Sequence, residues 1–116
     1  MLQTDRMVRH GLHSLDVYRV SLEFYRRISG LGLVGHAARH LSDAAESTVL
    51  NIAEAHRAKG ADRARKFCIA ADEASECTAA LDLLEIRGAI PQSALSMLRG
   101  LLDREHARLY RLVRKR

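Results

Sequence analysis

Residues 67–84 read FCIAADEASECTAALDLL, and the spacing of their apolar residues predicts the fold class. Apolar residues recur at alternating steps of three and four, which is the heptad spacing of a helix packed against other helices. The members are Phe67, Ala70, Ala74, Cys77, Leu81 and Leu84. This period favours near-antiparallel neighbours with a left-handed supercoil. Ile69, Ala80 and Leu83 fall on the opposite side, so a second apolar face is predicted on the same helix.

Glycines and the single proline divide the chain into four helical segments. The breaks fall at residues 30–35, at Gly60 and at residues 88–91. The first segment is predicted to begin with Ser14 as its N-cap and Asp16 in its first turn, where a carboxylate favours the helix dipole.

The other three segments carry end signals of the same kind. The second segment covers about residues 35–57, between two glycine breaks. The third is predicted to begin after Gly60 with Asp62 as its N-cap, and to end at Gly88 as a C′ residue. The fourth opens with Pro91 near its first helical position, where the missing N–H has no intrahelical partner to lose.

Apolar stripes run along the remaining segments as well. In the first segment they comprise Val17, Val20, Phe24 and Ile28, with a second stripe of Leu15, Tyr18, Leu22 and Tyr25. In the second segment the stripe is Ala38, Leu41, Ala45, Thr48 and Ile52. In the fourth it is Leu95, Leu98, Leu102, Leu109 and Leu112 or Val113. Glu105 falls within this last stripe, so we expect it at a margin of the core or paired with a base.

Short connections between the four segments predict an all-α, up-down-up-down four-helix bundle. We assign residues 14–116 to this bundle and residues 1–13 to a flexible N-terminal segment. The chain of 116 residues is the usual length of one domain.

Composition narrows the cellular context. No apolar run approaches the ~20 residues that span a bilayer, and the N-terminus lacks the apolar core of a signal peptide. Cys68 and Cys77 are nine residues apart and fall on opposite faces of one helix, so we expect no disulfide and interpret both as small buried residues. These features predict a cytoplasmic protein without a membrane partner.

Several short motifs resemble the four helix bundle proteins first noticed as products of intervening sequences in large-subunit ribosomal RNA genes. Leu15-Asp16-Val17-Tyr18 fits the opening of that family's first helix, and Asn51-Ile52-Ala53-Glu54, with Ser47 upstream, fits its strongest signature. Phe67 and the run 87–90 match later positions. Val49 and Ala55 depart from the proline and glycine usual in the signature, which suggests a longer second helix here.

The resemblance implies a four-helix fold, a cytosolic location and a homo-oligomeric ring, in known members a pentamer. No enzymatic activity is established for that family. Its structural relatives, the accessory variability determinants of diversity-generating retroelements, bind nucleic acid and a reverse transcriptase. By resemblance, Ser47, Asn51 and Glu54 are structural signature residues.

The residues themselves give no support for catalysis. No Glu-x-x-His pair of a di-iron bundle is present, and no nucleophile elbow, P-loop or dinucleotide fingerprint occurs. His36 and His40 share a helical face four residues apart, with Asp43 as the nearest further ligand type. We interpret them as solvated histidines and predict neither a metal nor a cofactor.

The positive charge of the chain suggests binding of an acidic partner instead of catalysis. The formal net charge is +5 and the sequence pI is about 9.8. In an up-down-up-down bundle, the N-terminus, the turn between the second and third helices and the C-terminus meet at one end. Candidate nucleic-acid-binding residues there are Arg57, Lys59, Arg63, Arg65, Lys66, Arg111, Arg114 and Lys115, with Arg6, Arg9 and Arg116 beside them and Asp5 and Asp62 as the main acids.

This positive charge is compatible with two functions. A scaffold of this kind can bind RNA, DNA or a nucleic-acid enzyme such as a reverse transcriptase. Alternatively, the chain is a protein–protein adaptor whose arginines only favour helix C-termini and solubility. Aromatic residues are 4% of the chain, which argues against base stacking on single strands.

The stretch 47–57 adds an assembly hypothesis. Asn51 is expected to border the core and bond a neighbouring helix, and Glu54 to accept bonds from the first amides of the third helix. Leu50 points away from the core, and with Ile69 and Leu83 it is a candidate for an oligomer interface.

Overall fold

The computed structural model describes residues 11–12 and 15–114, and the second range forms four helices. In chain order they are α1, Asp16–Ser29; α2, His36–Arg57; α3, Gly60–Ile86; and α4, Gln92–Arg114. No strand occurs in either described range. The predicted all-α class and its four segments are confirmed. Gly11 and Leu12 are helical, and the rest of the segment 1–13 lies outside the described residues.

The helices pack as a four-membered bundle. Each helix contacts its neighbour in sequence, α4 closes the bundle against α1, and the α2–α3 contact is the most extensive. The diagonal pairs α1–α3 and α2–α4 barely touch. Opposite sides of the bundle are therefore formed by α1 with α4 and by α2 with α3.

Two helix starts differ from the sequence-based prediction. The cap residue of α1 is Leu15, whose carbonyl accepts the Arg19 N–H at 3.2 Å, and the predicted cap Ser14 lies outside the described residues. α3 begins at Gly60 with Lys59 as its cap, so Asp62 lies in the first turn and the prediction of an Asp62 cap is wrong. Gly60 has φ +58°, which lets the chain turn and start the helix three residues earlier than predicted.

The ends around the α3–α4 connection are closer to prediction. Gly88 has φ +67°, its N–H donates to the Glu85 carbonyl at 2.9 Å, and the Ala89 N–H donates to the Leu84 carbonyl at 3.0 Å. These two bonds are a Schellman motif, which confirms Gly88 as C′. Pro91 precedes the first helical position by one residue, since α4 begins at Gln92 and the Pro91 carbonyl accepts the Leu95 N–H.

The buried core forms two clusters along the bundle axis. One lies where α1 and α3 end and α2 and α4 begin, and we call this the aliphatic end; it includes Phe24, Leu41, Leu81, Leu84 and Leu98. The other lies at the opposite end and consists of Val17, Ile52, Ala55, Phe67, Ala70, Ala74 and Leu109. The main predicted stripes of all four helices are buried, with Leu112 and Val113 half-buried.

Ala80 is the exception on α3. It was predicted on the outer face, but it is buried in the cluster of the aliphatic end. A helix with two neighbours buries a wider arc than a heptad seam, and Ala80 lies about 80° from the centre of that seam. The prediction for this residue is therefore wrong.

Candidate nucleic-acid interface

Four helix ends meet at one end of the bundle, which we call the basic pole. The first turn of α1, the last turn of α2, the first turns of α3 and the last turns of α4 surround the smaller core cluster. This is the arrangement on which the predicted charge cluster depends. Arg6, Arg9, Asp5, Lys115 and Arg116, which were also predicted there, lie outside the described residues.

Arg63 has a structural role at the basic pole. Its Nη1 donates to the Ala55 carbonyl at 3.0 Å, and that carbonyl lies in the last turn of α2, where helix carbonyls lack intrahelical partners. Its guanidinium also lies 5.0 Å from the centre of the Phe67 ring. Arg63 thus closes the end of α2 and covers the core cluster, which leaves less of the cation available to a phosphate.

Lys66 joins α3 to α2 through the signature glutamate. Its Nζ donates to Glu54 Oε1 at 2.6 Å. Glu54 was expected to accept the first amides of α3, and this expectation is wrong because the carboxylate binds Lys66 instead. Lys66 lies one turn further along α3 than the first amides and carries a full positive charge. A carboxylate binds such a cation more strongly than it binds a backbone amide N–H.

Two further cations bind nearby side chains. Arg65 lies 3.4 Å from Asp62 on the exposed surface of α3. Arg114 donates to the Tyr110 hydroxyl at 2.8 Å and lies over the same ring at 5.2 Å. Both contacts are exposed and local, so they hold these cations only weakly.

Among the residues that the structure describes, Arg57, Lys59 and Arg111 are the free cations of the basic pole. All three are exposed, and none has an ion-pair or hydrogen-bond partner for its side chain among the described residues. They come from the end of α2, the α2–α3 turn and the end of α4. Of the predicted set, these residues are the best suited to contact phosphates.

Sequence reasoning missed a groove beside these cations. The groove between α1 and α4 has a volume of about 450 Å³ and a floor of Leu15, Val17 and Leu112. Arg108 lies at its rim and binds Asp16 across the two helices. The signal in the sequence was the spacing of Arg104, Arg108 and Arg111, which repeats on one face of α4.

Asn51 bonds within its own helix. Its Nδ2 donates to the Ser47 carbonyl at 2.9 Å and to Ser47 Oγ at 3.2 Å. The expected bond to a neighbouring helix is therefore wrong. The amide stays half-buried because the helix itself supplies the acceptors.

The three interface candidates do not form one patch. Leu50 and Leu83 are 53% and 54% exposed, while Ile69 is half-buried. The Glu54–Lys66 contact fixes the register of the two antiparallel helices and places Leu50 level with Ile69. Leu83 lies about 21 Å further along α3, at the aliphatic end with Ile86. Leu50 and Ile69 thus lie at the same level on two adjacent helices, whereas Leu83 lies at a different level.

Glu105 is buried in the middle of the bundle. It is 1% exposed, and its Oε1 has no hydrogen-bond partner among residues 11–12 and 15–114, so the expected margin position or base partner is wrong. Burial raises the pKa of this carboxyl to about 8. Ser21 and Thr48 are buried at the same boundary between the two core clusters, and each donates to a carbonyl of its own helix at 2.8 Å.

The cysteines and histidines in the described part of the chain form no evident site. Cys77 is buried, and burial followed by the charge of Glu105 raises the pKa of its thiol. Cys68 is exposed on the outside of α3, so its predicted burial is wrong. His36 and His40 lie 4.8 Å apart, centre to centre, in a T-shaped contact. Among residues 11–12 and 15–114 no three His, Cys, Asp or Glu side chains form a group that could hold a metal.

The helices are also unsuited to a bilayer. Over the described part of the chain, none combines the length and the apolar character needed to cross a membrane.

Comparison with known proteins supports the fold. No protein-family model matches the chain, and no curated protein matches it significantly. The chain is similar to the 1.70 Å crystal structure of a protein of unknown function from the S23 ribosomal protein family of Bacteroides thetaiotaomicron VPI-5482. The TM-score is 0.79 at 25% identity, and the match covers 85% of this chain and 99% of that one.

Proposed function

We propose that this chain is a non-enzymatic, homo-oligomeric helical scaffold of the cytoplasm whose basic pole binds nucleic acid. By the resemblance of its signature residues, we propose that it belongs to the intervening-sequence four helix bundle family and assembles as a pentameric ring. A nucleic-acid enzyme such as a reverse transcriptase is the protein partner that this resemblance suggests.

One observation carries the proposal. Arg57 at the end of α2 and Lys59 in the α2–α3 turn lie at one end of the bundle, and each is exposed without a partner among the described residues. Exposed cations with no acid to neutralise them provide phosphate affinity that does not read sequence. In a ring, the same end repeats in every subunit and strengthens the field.

The test reverses only free cations. Replacing Arg63 or Lys66 would remove contacts that hold α2 to α3, so the informative variant is Arg57→Glu with Lys59→Glu. Binding to duplex DNA and structured RNA is titrated from 50 mM salt upward. We expect weaker binding by the variant and a smaller salt slope, by about one for each phosphate that the variant no longer neutralises.

Arg39→Glu with Arg87→Glu is the matched control, because it reverses two exposed cations at the aliphatic end, and Arg39 lies about 27 Å from Arg57 along α2. It should leave binding unchanged. If the unmodified protein binds neither nucleic acid at 50 mM salt, the proposed ligand is wrong.

The aliphatic end favours a second candidate, a protein–protein adaptor. Val34 and Ile86 are 77% and 82% exposed there, close to the exposed Leu83. Exposed aliphatic side chains of this kind are typical of protein contacts. Under this alternative, Val34→Ser with Ile86→Ser abolishes capture of a protein partner, while the charge reversal at Arg57 and Lys59 does not.

A further inference from the structure

The two sides of the bundle carry opposite charge. α1 and α4 together contain eight arginines and four acidic residues, and one of those acids is the buried Glu105. α2 and α3 together contain nine acidic residues and five Lys or Arg. These helix pairs form opposite sides of the bundle. The side formed by α1 and α4 therefore has a net positive charge, and the side formed by α2 and α3 has a net negative charge.

The basic side has a continuous row of arginines on α4. Arg104, Arg108 and Arg111 follow steps of four and three, so they share one face of the helix. Arg108 binds Asp16 of α1, which shows that this row borders α1. Arg104 and Arg111 are exposed, with no side-chain partner in the described ranges. We call this row and the groove beside it the basic face.

The acidic side has unpaired carboxylates next to apolar side chains. Glu73 and Glu76 lie one turn apart on α3, and neither has an ion-pair partner among the residues described. Burial and the charges of Glu76 and Asp72 raise the pKa of Glu73, as expected where like charges crowd together. Ile69 lies one turn before Glu73, and Leu50 lies level with it on α2. We call Leu50, Ile69, Glu73 and Glu76 the acidic face.

We propose that the acidic face of one copy of this chain docks on the basic face of a second copy. A contact between the same faces of two copies is disfavoured, because like charges would then meet across it. A contact between different faces is head-to-tail, and it repeats because the two faces lie on opposite sides of each copy. The inference rests on the proposed homo-oligomer and adds which surfaces join.

Apolar complementarity accompanies the charges. The acidic face presents Leu50 and Ile69, and the basic face presents an apolar groove of about 450 Å³ between α1 and α4, bordered by Arg108 and Arg111. Insertion of an aliphatic side chain between charged rims is the usual construction of an interface core and its rim. Leu50→Glu should therefore weaken assembly while the free energy of unfolding of the subunit changes little.

Charge reversal on each face tests the docking. One variant carries Arg104→Glu and Arg111→Glu, a second carries Glu73→Lys and Glu76→Lys, and a third combines all four changes. Light scattering after size exclusion measures assembly at 50 and 500 mM salt. We expect each one-sided variant to associate at least about tenfold more weakly than the unmodified protein, and the combined variant to regain assembly.

Controls separate this inference from misfolding. Arg39→Glu with Arg87→Glu makes the same charge change as the first variant but at the aliphatic end, and it should keep assembly intact. Circular dichroism melts show whether each variant folds. The unmodified protein provides an independent test, because raising salt from 50 to 500 mM should weaken a charged interface.

The outcomes are distinguishable. A monomeric unmodified protein would overturn the proposed scaffold as well as this interface. An oligomer that ignores salt and both one-sided reversals would overturn the interface alone. If the Arg104 and Arg111 variant assembles normally but loses nucleic acid, the basic face binds the ligand instead of a second copy, and the inference is wrong.

Discussion

The aliphatic end and the basic pole differ in the residues that form their cores. The cluster at the aliphatic end contains sixteen buried residues and is rich in leucine, whereas the cluster at the basic pole contains seven, of which three are alanines. The basic pole compensates with cations, since Arg63 covers Phe67 and Lys66 joins α3 to α2. Positive charge at this pole is thus partly structural, and only its unpaired remainder supports the proposed nucleic-acid binding.

The largest effect should come from removing one phenylalanine at each end. Phe67 and Phe24 are both 1% exposed, so each change to alanine should cost about 3–5 kcal/mol. Phe67→Ala also removes the ring under Arg63, and its cluster has fewer residues to fill the cavity. We expect native-state hydrogen exchange to show early opening of the basic pole in Phe67→Ala, while Phe24→Ala lowers protection throughout the bundle.

Urea denaturation of both variants supplies the free energies for this comparison. If Phe67→Ala and Phe24→Ala lose protection over the same amides and by the same amount, the two clusters act as one cooperative core and the distinction between the ends has no energetic meaning.

The next largest effect belongs to Glu105, which lies between the two clusters. An unfolded glutamate ionises near 4.5, but the buried carboxyl ionises near 8. Between these values the unfolded state binds fewer protons, so stability falls as pH rises from about 4.5 to about 8, with a slope of at most about 1.4 kcal/mol per pH unit. Below pH 4.5 both states are protonated and the penalty vanishes.

Glu105→Gln should remove that slope. Urea denaturation at pH 5, 6.5 and 8 measures the free energy of unfolding of both proteins. Relative to the unmodified protein, the variant should become more stable as pH rises, by up to about 3 kcal/mol at neutral pH. Glu105→Leu serves as a second variant that removes the polar atoms as well. Parallel stability curves for Glu105→Gln and the unmodified protein would show that Glu105 does not titrate in this range.

A matched pair of arginines tests the division between structural and free cations. Arg63→Met removes a hydrogen bond to the Ala55 carbonyl and a cation–π interaction with Phe67, so we expect a loss of about 1–2 kcal/mol. Arg57→Met removes neither and should change stability by less than about 0.5 kcal/mol. Thermal melts at constant pH measure both, and equal losses would contradict the division.

The fold was predictable from sequence because its signals are periodic. The heptad of α3, the glycine and proline breaks and the Gly88 C′ residue each specify local structure, and the structure agrees on all three. Errors fell on side chains whose partner lies on another element. Glu54 binds Lys66 twelve residues away, and Arg63 reaches the Ala55 carbonyl eight residues back, distances that helical periodicity does not encode.

The candidate site was predictable only as a location. Sequence placed the cations of α2, α3 and α4 at one pole, but it could not say which of them would be neutralised. Glu105 illustrates the same limit, because its place in an apolar stripe was visible, whereas the absence of a partner for its Oε1 depends on every helix around it.

The smallest effects should come from the surface ion pairs that cross between helices at each end. Lys66 meets Glu54 at the basic pole, and Arg99 meets Asp82 at 2.9 Å at the aliphatic end. Both carboxylates are more than half exposed, so water screens each pair. Double-mutant cycles with Lys66→Met and Glu54→Gln, and with Arg99→Met and Asp82→Asn, should give coupling energies of about 0.2–1 kcal/mol that shrink at 500 mM salt. Lys66 is the better shielded cation, so the larger coupling is expected at the basic pole. A larger coupling at the aliphatic end would mean that the cations of the basic pole brace it less than their hydrogen bonds and ion pairs suggest.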